Sequence, residues 1–328
     1  MVVRVHPDEL SFIGSSAWQD IYMARPQLPK PIFGVLETPN GHPSIGTIPD
    51  PETHGKQRKI LSHAFSDRAL REQEYILQKY SDLLITRLCD QAEKGRDGIQ
   101  EVNLCDWYNF TTFDVLGDLC FGESFHSLEK GDNHPWVAAV FKGVKFAQLL
   151  TVFHHFPPMY TLLKLCMPPQ VKEMAMRTHT WTREKVDQRI ESKSDRPDFM
   201  KYILENNYQG GMARPAIDST ATLLVLAGSE TSATTLTGAT YFCLRNPPIM
   251  EKLQEEIRGA FGGDPKQITV SSVSNLPYLH AVFQETLRVH PTGPISVPRQ
   301  VDRPGVEICG IPVPQGVYLS TDSYADGK

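Results

Sequence analysis

The chain has 328 residues and a mass of 36.9 kDa. With 40% hydrophobic and 22% charged residues it has the composition of a folded globular protein, which excludes disorder, collagen and coiled coil as the main state. A net charge of −5 lacks the basic surplus of a nucleic-acid binder, so no nucleic-acid partner is expected.

At the N-terminus Val2, Val3 and Val5 predict a β-strand with no neighbouring strand candidate beside it in the sequence. An isolated strand is unstable, so its partner lies far along the chain or upstream sequence is missing. No signal peptide is expected, and no run of about 18 apolar residues predicts a membrane span. Residues 53–65 read as a short basic helix. Ser66 and Asp67 fit a cap for the next helix, which runs to about Glu93 and buries Ile76, Leu77, Tyr80, Leu83, Leu84 and Leu88 on one face. Further helices are predicted over 105–121 and 134–150. Residues 146–169 crowd apolar side chains around Pro157-Pro158 and Pro168-Pro169. That stretch fits either a membrane-surface or channel-roof segment or an ordinary packing segment.

Residues 172–194 predict a polar, mostly solvated helix. A short helix follows Arg196-Pro197-Asp198. The long helix over about 216–245 is opened by Pro215 and stopped by Pro247-Pro248. Helices over 249–261 and 277–289 come next. Residues 294–301 and 306–320 then read as short strands and hairpins, and they are natural partners for the first strand. No linker or repeat interrupts the pattern, so a single domain over 1–328, mainly α with a small β-sheet, is expected.

Cys89, Cys105, Cys120, Cys166, Cys243 and Cys309 include no C-x-x-C pair. They read as reduced, mostly buried thiols in an intracellular protein. No metal-ligand set is assigned.

Three constellations carry possible chemistry. The long helix contains Ala227-Gly228-Ser229-Glu230-Thr231. A mid-helix glycine costs about 1 kcal/mol relative to alanine, so it has a reason to be there. Either small residues let a flat group approach while Glu230 and Thr231 relay protons, or they form a tight helix crossing with threonines bonded back to the preceding turn. Glu285 and Arg288 are three apart on one helical face. His54 and Arg58 are four apart, two donors suited to a carboxylate or phosphate, or simply two surface residues.

In this order the motifs resemble the cytochrome P450 family, the haem-thiolate monooxygenases. Ala227–Thr231 is similar to the family's oxygen-activation motif. Glu285-Thr286-Leu287-Arg288, with Pro291 after it, is similar to its E-x-x-R motif. His54-x-x-x-Arg58 resembles the helix that meets the haem propionates, where tryptophan is commoner than histidine. Arg299 stands where another propionate partner is expected. The stretch from Trp107 to Asp114, with Gly117-Asp118 and Phe121-Gly122, resembles fungal secondary-metabolism members. The resemblance implies haem as cofactor, a lipophilic small-molecule substrate and an NADPH-dependent reductase partner. It implies proton delivery by Thr231 and Glu230, space over the haem at Gly228 and Ala227, and a structural role for Glu285 and Arg288. It places substrate-pocket segments at 25–43 and 292–297, and a channel roof touching the membrane surface at 146–169. Family members are anchored in the endoplasmic-reticulum membrane. With no span in this chain, a cytoplasmic or peripheral location is expected.

The family's F-x-x-G-x-R-x-C-x-G loop, which carries the axial cysteine, does not occur among the 328 residues. Cys309 follows the E-x-x-R helix but sits in a strand-turn setting unsuited to ligation. An incomplete P450 domain is therefore expected, lacking the N-terminal anchor and the haem loop. Two functional expectations follow: a monooxygenase if the full gene encodes the loop, or a non-catalytic remnant without thiolate-ligated haem.

Overall fold

Pro7 and Asp8 turn the chain directly after strand β1 (Val2–His6), and β2 (Glu9–Phe12) returns antiparallel beside it. The first strand therefore has the local partner that the sequence reading denied it. The turn is too short, and the register shifts between Arg4 and His6, so simple alternation hides the second strand. The computed structural model describes residues 1–31, 41–95, 100–154, 156–207, 211–293 and 296–321.

Helix α1 (Ser15–Tyr22) also escaped the sequence reading. Ala17 and Ile21, one turn apart, are fully buried against the sheet side, worth about 2 kcal/mol for the isoleucine alone. Helix α2 (Pro51–Ser62) begins where Asp50 accepts a hydrogen bond from the Thr53 N–H and Pro51 fixes the first turn. A 3-10 turn (His63–Phe65) leads to α3 (Asp67–Lys94), capped by Ser66 as expected.

Helix α4 (Leu104–Phe121) is apolar on nearly every side and lies at the centre of the larger core, as an all-round apolar helix must. Its two buried carboxylates, Asp114 and Asp118, are structural. Asp114 accepts the Ser127 and Leu128 N–H groups at 3.1 and 2.9 Å, starting α5 (Ser127–Lys130). Asp118 accepts from Tyr80 Oη at 2.7 Å and pairs with Arg196. Gly117 has no room for a Cβ, which would lie 2.8 Å from the Phe125 ring.

Helix α6 (Pro135–His154) runs past the predicted end at 150, and α7 (Pro157–Leu165) and α8 (Pro169–Glu191) each start on one of the two proline pairs. The prolines open helices here rather than break them. Helix α8 is not mostly solvated. Thr182, Val186 and Arg189 are buried on one stripe, and Arg189 donates to both carboxylate oxygens of Asp198, which is itself fully buried. Asp198 also caps α9 (Phe199–Asn206).

Helix α10 (Arg214–Arg245) spans 32 residues and packs most extensively on α4. Helices α11 (Pro247–Phe261), α12 (Val270–Val273) and α13 (Pro277–Val289) follow. The remaining strands are β3 (Arg299–Gln300), β4 (Val306–Ile308), β5 (Ile311–Val313) and β6 (Tyr318–Thr321). The larger sheet has the order β1-β2-β6-β3, with β6 parallel to β2 and antiparallel to β3. The late segment thus reaches β1 only through β2. Strands β4 and β5 form a hairpin whose central residues, Cys309 and Gly310, both have positive φ, the requirement of a two-residue type I′ turn. Among the described residues the architecture is mainly helical with small sheets, as expected.

Candidate functional site: a basic cluster beside the long helix

The site begins with a loop held against α10. Thr220 Oγ1 accepts the Ile45 N–H at 3.2 Å. The Gly46 backbone lies so close to the same helix that a Cβ there would sit 2.8 Å from Leu223 Cδ2. Ser44 and Thr47 close the turn by hydrogen bonds to each other. The carbonyls of Ile45 and Gly46 accept from Lys30 Nζ at 3.1 and 2.9 Å. On its other side Lys30 is fixed by Pro29, whose carbonyl accepts the Gln300 N–H at 2.9 Å, and by Leu28, which is buried. Arg299 of β3 and His54 and Arg58 of α2 complete a cluster of basic side chains.

The electrostatics of this cluster are one-sided. Burial, then Lys30, Arg58 and Arg299, hold the His54 imidazole at about 4, so it is neutral at physiological pH. Burial, then Arg299 and Arg58, push the Lys30 ammonium down to about 8. Burial also lowers Arg299, with Tyr22 opposing. Arg299 is only 8% exposed, its guanidinium lies over the Tyr22 ring at 5.5 Å, and its Nε and Nη1 find no hydrogen-bond partner among the described residues. Buried donors are nearly always satisfied, and like charges in a low dielectric repel. The arrangement has the charge and the free donors to accept an anion.

The loop and the α10 motif share one helical face. Leu223, Ala227 and Thr231 are spaced at four residues, so Ala227 and Thr231 lie about 6 and 12 Å along the axis from the loop contact. Ala227, Glu230 and Thr231 are exposed among the described residues. Thr231 Oγ1 donates to the Ala227 carbonyl at 2.6 Å, the local back-bond anticipated as one alternative. Although Glu230 is exposed at its surface, desolvation by the protein around it raises its carboxyl above the ordinary value. Gly228 belongs to a neighbouring face. A Cβ there would lie 3.1 Å from Leu116 Cδ1, and the next residue, Ser229, donates to the Thr112 carbonyl at 3.2 Å. The missing side chain at Gly228 thus serves the α4–α10 crossing.

Glu285 and Arg288 pair at 2.7 Å, but at 61% and 50% exposure they lie on the surface of the described residues rather than in the core. Cys309 is held against α1, its Sγ 3.3 Å from Ser16 Oγ and its N–H bonded to Asp20. Four of the six cysteines, Cys89, Cys105, Cys166 and Cys309, are exposed, which corrects the expectation of mostly buried thiols. Of the expected pocket segments, residues 32–40 and 294–295 lie outside the described residues, as do many side chains of 144–154. Lys30 was missed in the sequence because nothing local marks it.

A mainly helical chain with small sheets carries a long small-residue helix and a basic cluster beside it. The chain belongs to the cytochrome P450 family, whose pattern matches residues 35–326. It is 36% identical to cytochrome P450 monooxygenase astJ of Aspergillus oryzae, over 99% of this chain and 65% of that protein. It is 38% identical to cytochrome P450 monooxygenase lcsI of Purpureocillium lilacinum, over 98% of this chain and 63% of that protein. It is 37% identical to the averantin hydroxylase of Dothistroma septosporum, over 99% of this chain and 60% of that protein. The chain spans less than two thirds of the length of these relatives. It is a P450 of the fungal secondary-metabolism type. The family implies haem, and the cluster fits it: a carboxylate-bearing ring supplies the anions that the unpartnered nitrogens of Arg299 lack. No helix among the described residues is long and apolar enough to cross a membrane.

Proposed function

We propose that this chain forms the haem-binding body of a monooxygenase that oxidises a lipophilic small molecule with electrons from an NADPH-dependent reductase. Arg299 carries the reading, because its buried guanidinium has nitrogens without a partner among the described residues, beside further cations. Haem when bound supplies the electron-transfer and oxygen chemistry. The protein's own residues do the rest. Arg299, Arg58 and neutral His54 hold the ring carboxylates. Ala227 keeps the helix face low enough for a flat ring. Thr231 Oγ1 and the Glu230 carboxyl, whose proton is retained to higher pH by desolvation, pass protons toward the reacting centre. Hydroxylation, the reaction named for the Dothistroma relative, is the reaction class. The chain acts as one domain, and the exposed Phe156, Met159, Leu162 and Leu165 at and within α7 rest on a membrane surface.

The test is an absorbance titration of the chain with haem and with haem dimethyl ester, which lacks the two negative charges. The reading predicts about tenfold or greater preference for haem, abolished in Arg299→Gln, since hydrogen bonds to charged groups are worth about 1.5–3 kcal/mol. Equal affinity for both porphyrins contradicts it.

A further inference from the structure

We propose that Lys30 is a binding residue for the ring carboxylates, a third cationic position fixed by the Ile45–Gly46 carbonyls beside Arg58 and Arg299. The inference deepens the haem reading above and rests on it.

Its perch is built rather than incidental. Thr220 and Leu223 of α10 fix the loop that offers the two carbonyls, and the Pro29–Gln300 hydrogen bond fixes the backbone just before Lys30. An ammonium has three N–H donors. Two are spent on Ile45 and Gly46, and no third acceptor appears among the described residues. If Lys30 were only a tie between loops, a neutral donor would serve as well without the charge. Here a half-buried cation is placed next to two guanidiniums, an arrangement that is unfavourable until an anion enters.

The groups facing Lys30 are His54 and Arg58 from α2 and Arg299 from β3, with Tyr22 of α1 against Arg299. His54 is already neutral at pH 7. Lys30, pushed to about 8, changes charge between pH 7 and pH 9. Its contribution to carboxylate binding therefore fades across that interval.

The experiment measures the affinity ratio of haem to haem dimethyl ester for the wild-type chain, Lys30→Gln and Lys30→Arg, at pH 7 and pH 9. Folding of each variant is checked by circular dichroism. The expected wild-type ratio at pH 7 falls about fivefold to tenfold in Lys30→Gln and is kept in Lys30→Arg. Raising the pH to 9 lowers the wild-type ratio but not that of Lys30→Arg. If Lys30→Gln does not fold, the pH comparison between wild type and Lys30→Arg decides. The proposal is overturned if Lys30→Gln keeps the wild-type ratio, or weakens both porphyrins equally as a mere loop tie would. It is also overturned if the pH step leaves the wild-type ratio unchanged. A wild type that does not distinguish the two porphyrins at any pH overturns the carboxylate-site reading itself, and Lys30 with it.

Discussion

His54 is held at about 4 against an ordinary 6.5, with burial as the first cause and the cations beside it as the rest. Between these values the unfolded chain binds more protons at this position than the folded one. Stability of the ligand-free chain therefore rises with pH from about 4 to 6.5, and His54 adds no slope above that window. Thermal melting across this range tests it: His54→Asn is expected to flatten the slope, and an unchanged slope counts against the cluster as described. A few residues along the site, Thr231 combines an exposed position with a back-bond to Ala227. Its removal leaves packing intact. Thr231→Ala is expected to change stability by no more than about 0.5 kcal/mol. In the reductase-coupled holoenzyme it lowers product formed by on the order of a hundredfold, the usual scale of lost proton transfer. Chemical denaturation and product assay separate the two effects. A variant that loses stability instead of turnover makes Thr231 a structural residue.

At the scale of elements, α10 does two jobs on adjacent faces. One face, through Gly228 and Ser229, crosses α4 at close range, and another carries Leu223, Ala227 and Thr231 along the site. The crossing tolerates little. A Cβ at Gly228 meets Leu116 Cδ1 at 3.1 Å, so the larger Gly228→Val is expected to cost about 1–3 kcal/mol in urea unfolding. Unchanged stability would mean that the crossing is loose. The long helices were legible in the sequence because proline, glycine and cap residues mark their ends locally, as Ser66 does for α3 and Pro215 for α10. Strand β2 and helix α1 were not, because each is short and owes its stability to partners such as β6. The polar stripe of α8 misled for a related reason. Arg189 reads as solvated until Asp198 is folded beneath it.

At the scale of the whole molecule, the site is assembled from segments at opposite ends of the chain. Lys30 and the 44–47 turn come early, Arg299 comes late, and α10 lies between them. His54, Arg58 and Arg299 were found in the sequence by motif, whereas Lys30 depends on contacts with distant elements and carries no motif. The cations converge because β6 pairs with both β2 and β3, bringing the N-terminal hairpin and the late strands into one sheet beside the helical body. In the proposed function this convergence seats two carboxylates. The most direct measurement is a crystal structure of the haem-loaded chain. Ring carboxylate oxygens are expected within hydrogen-bonding distance of Arg299 and Lys30, with the ring against Ala227 and Thr231. Carboxylates pointing into solvent, or a ring bound away from this helix face, would contradict it.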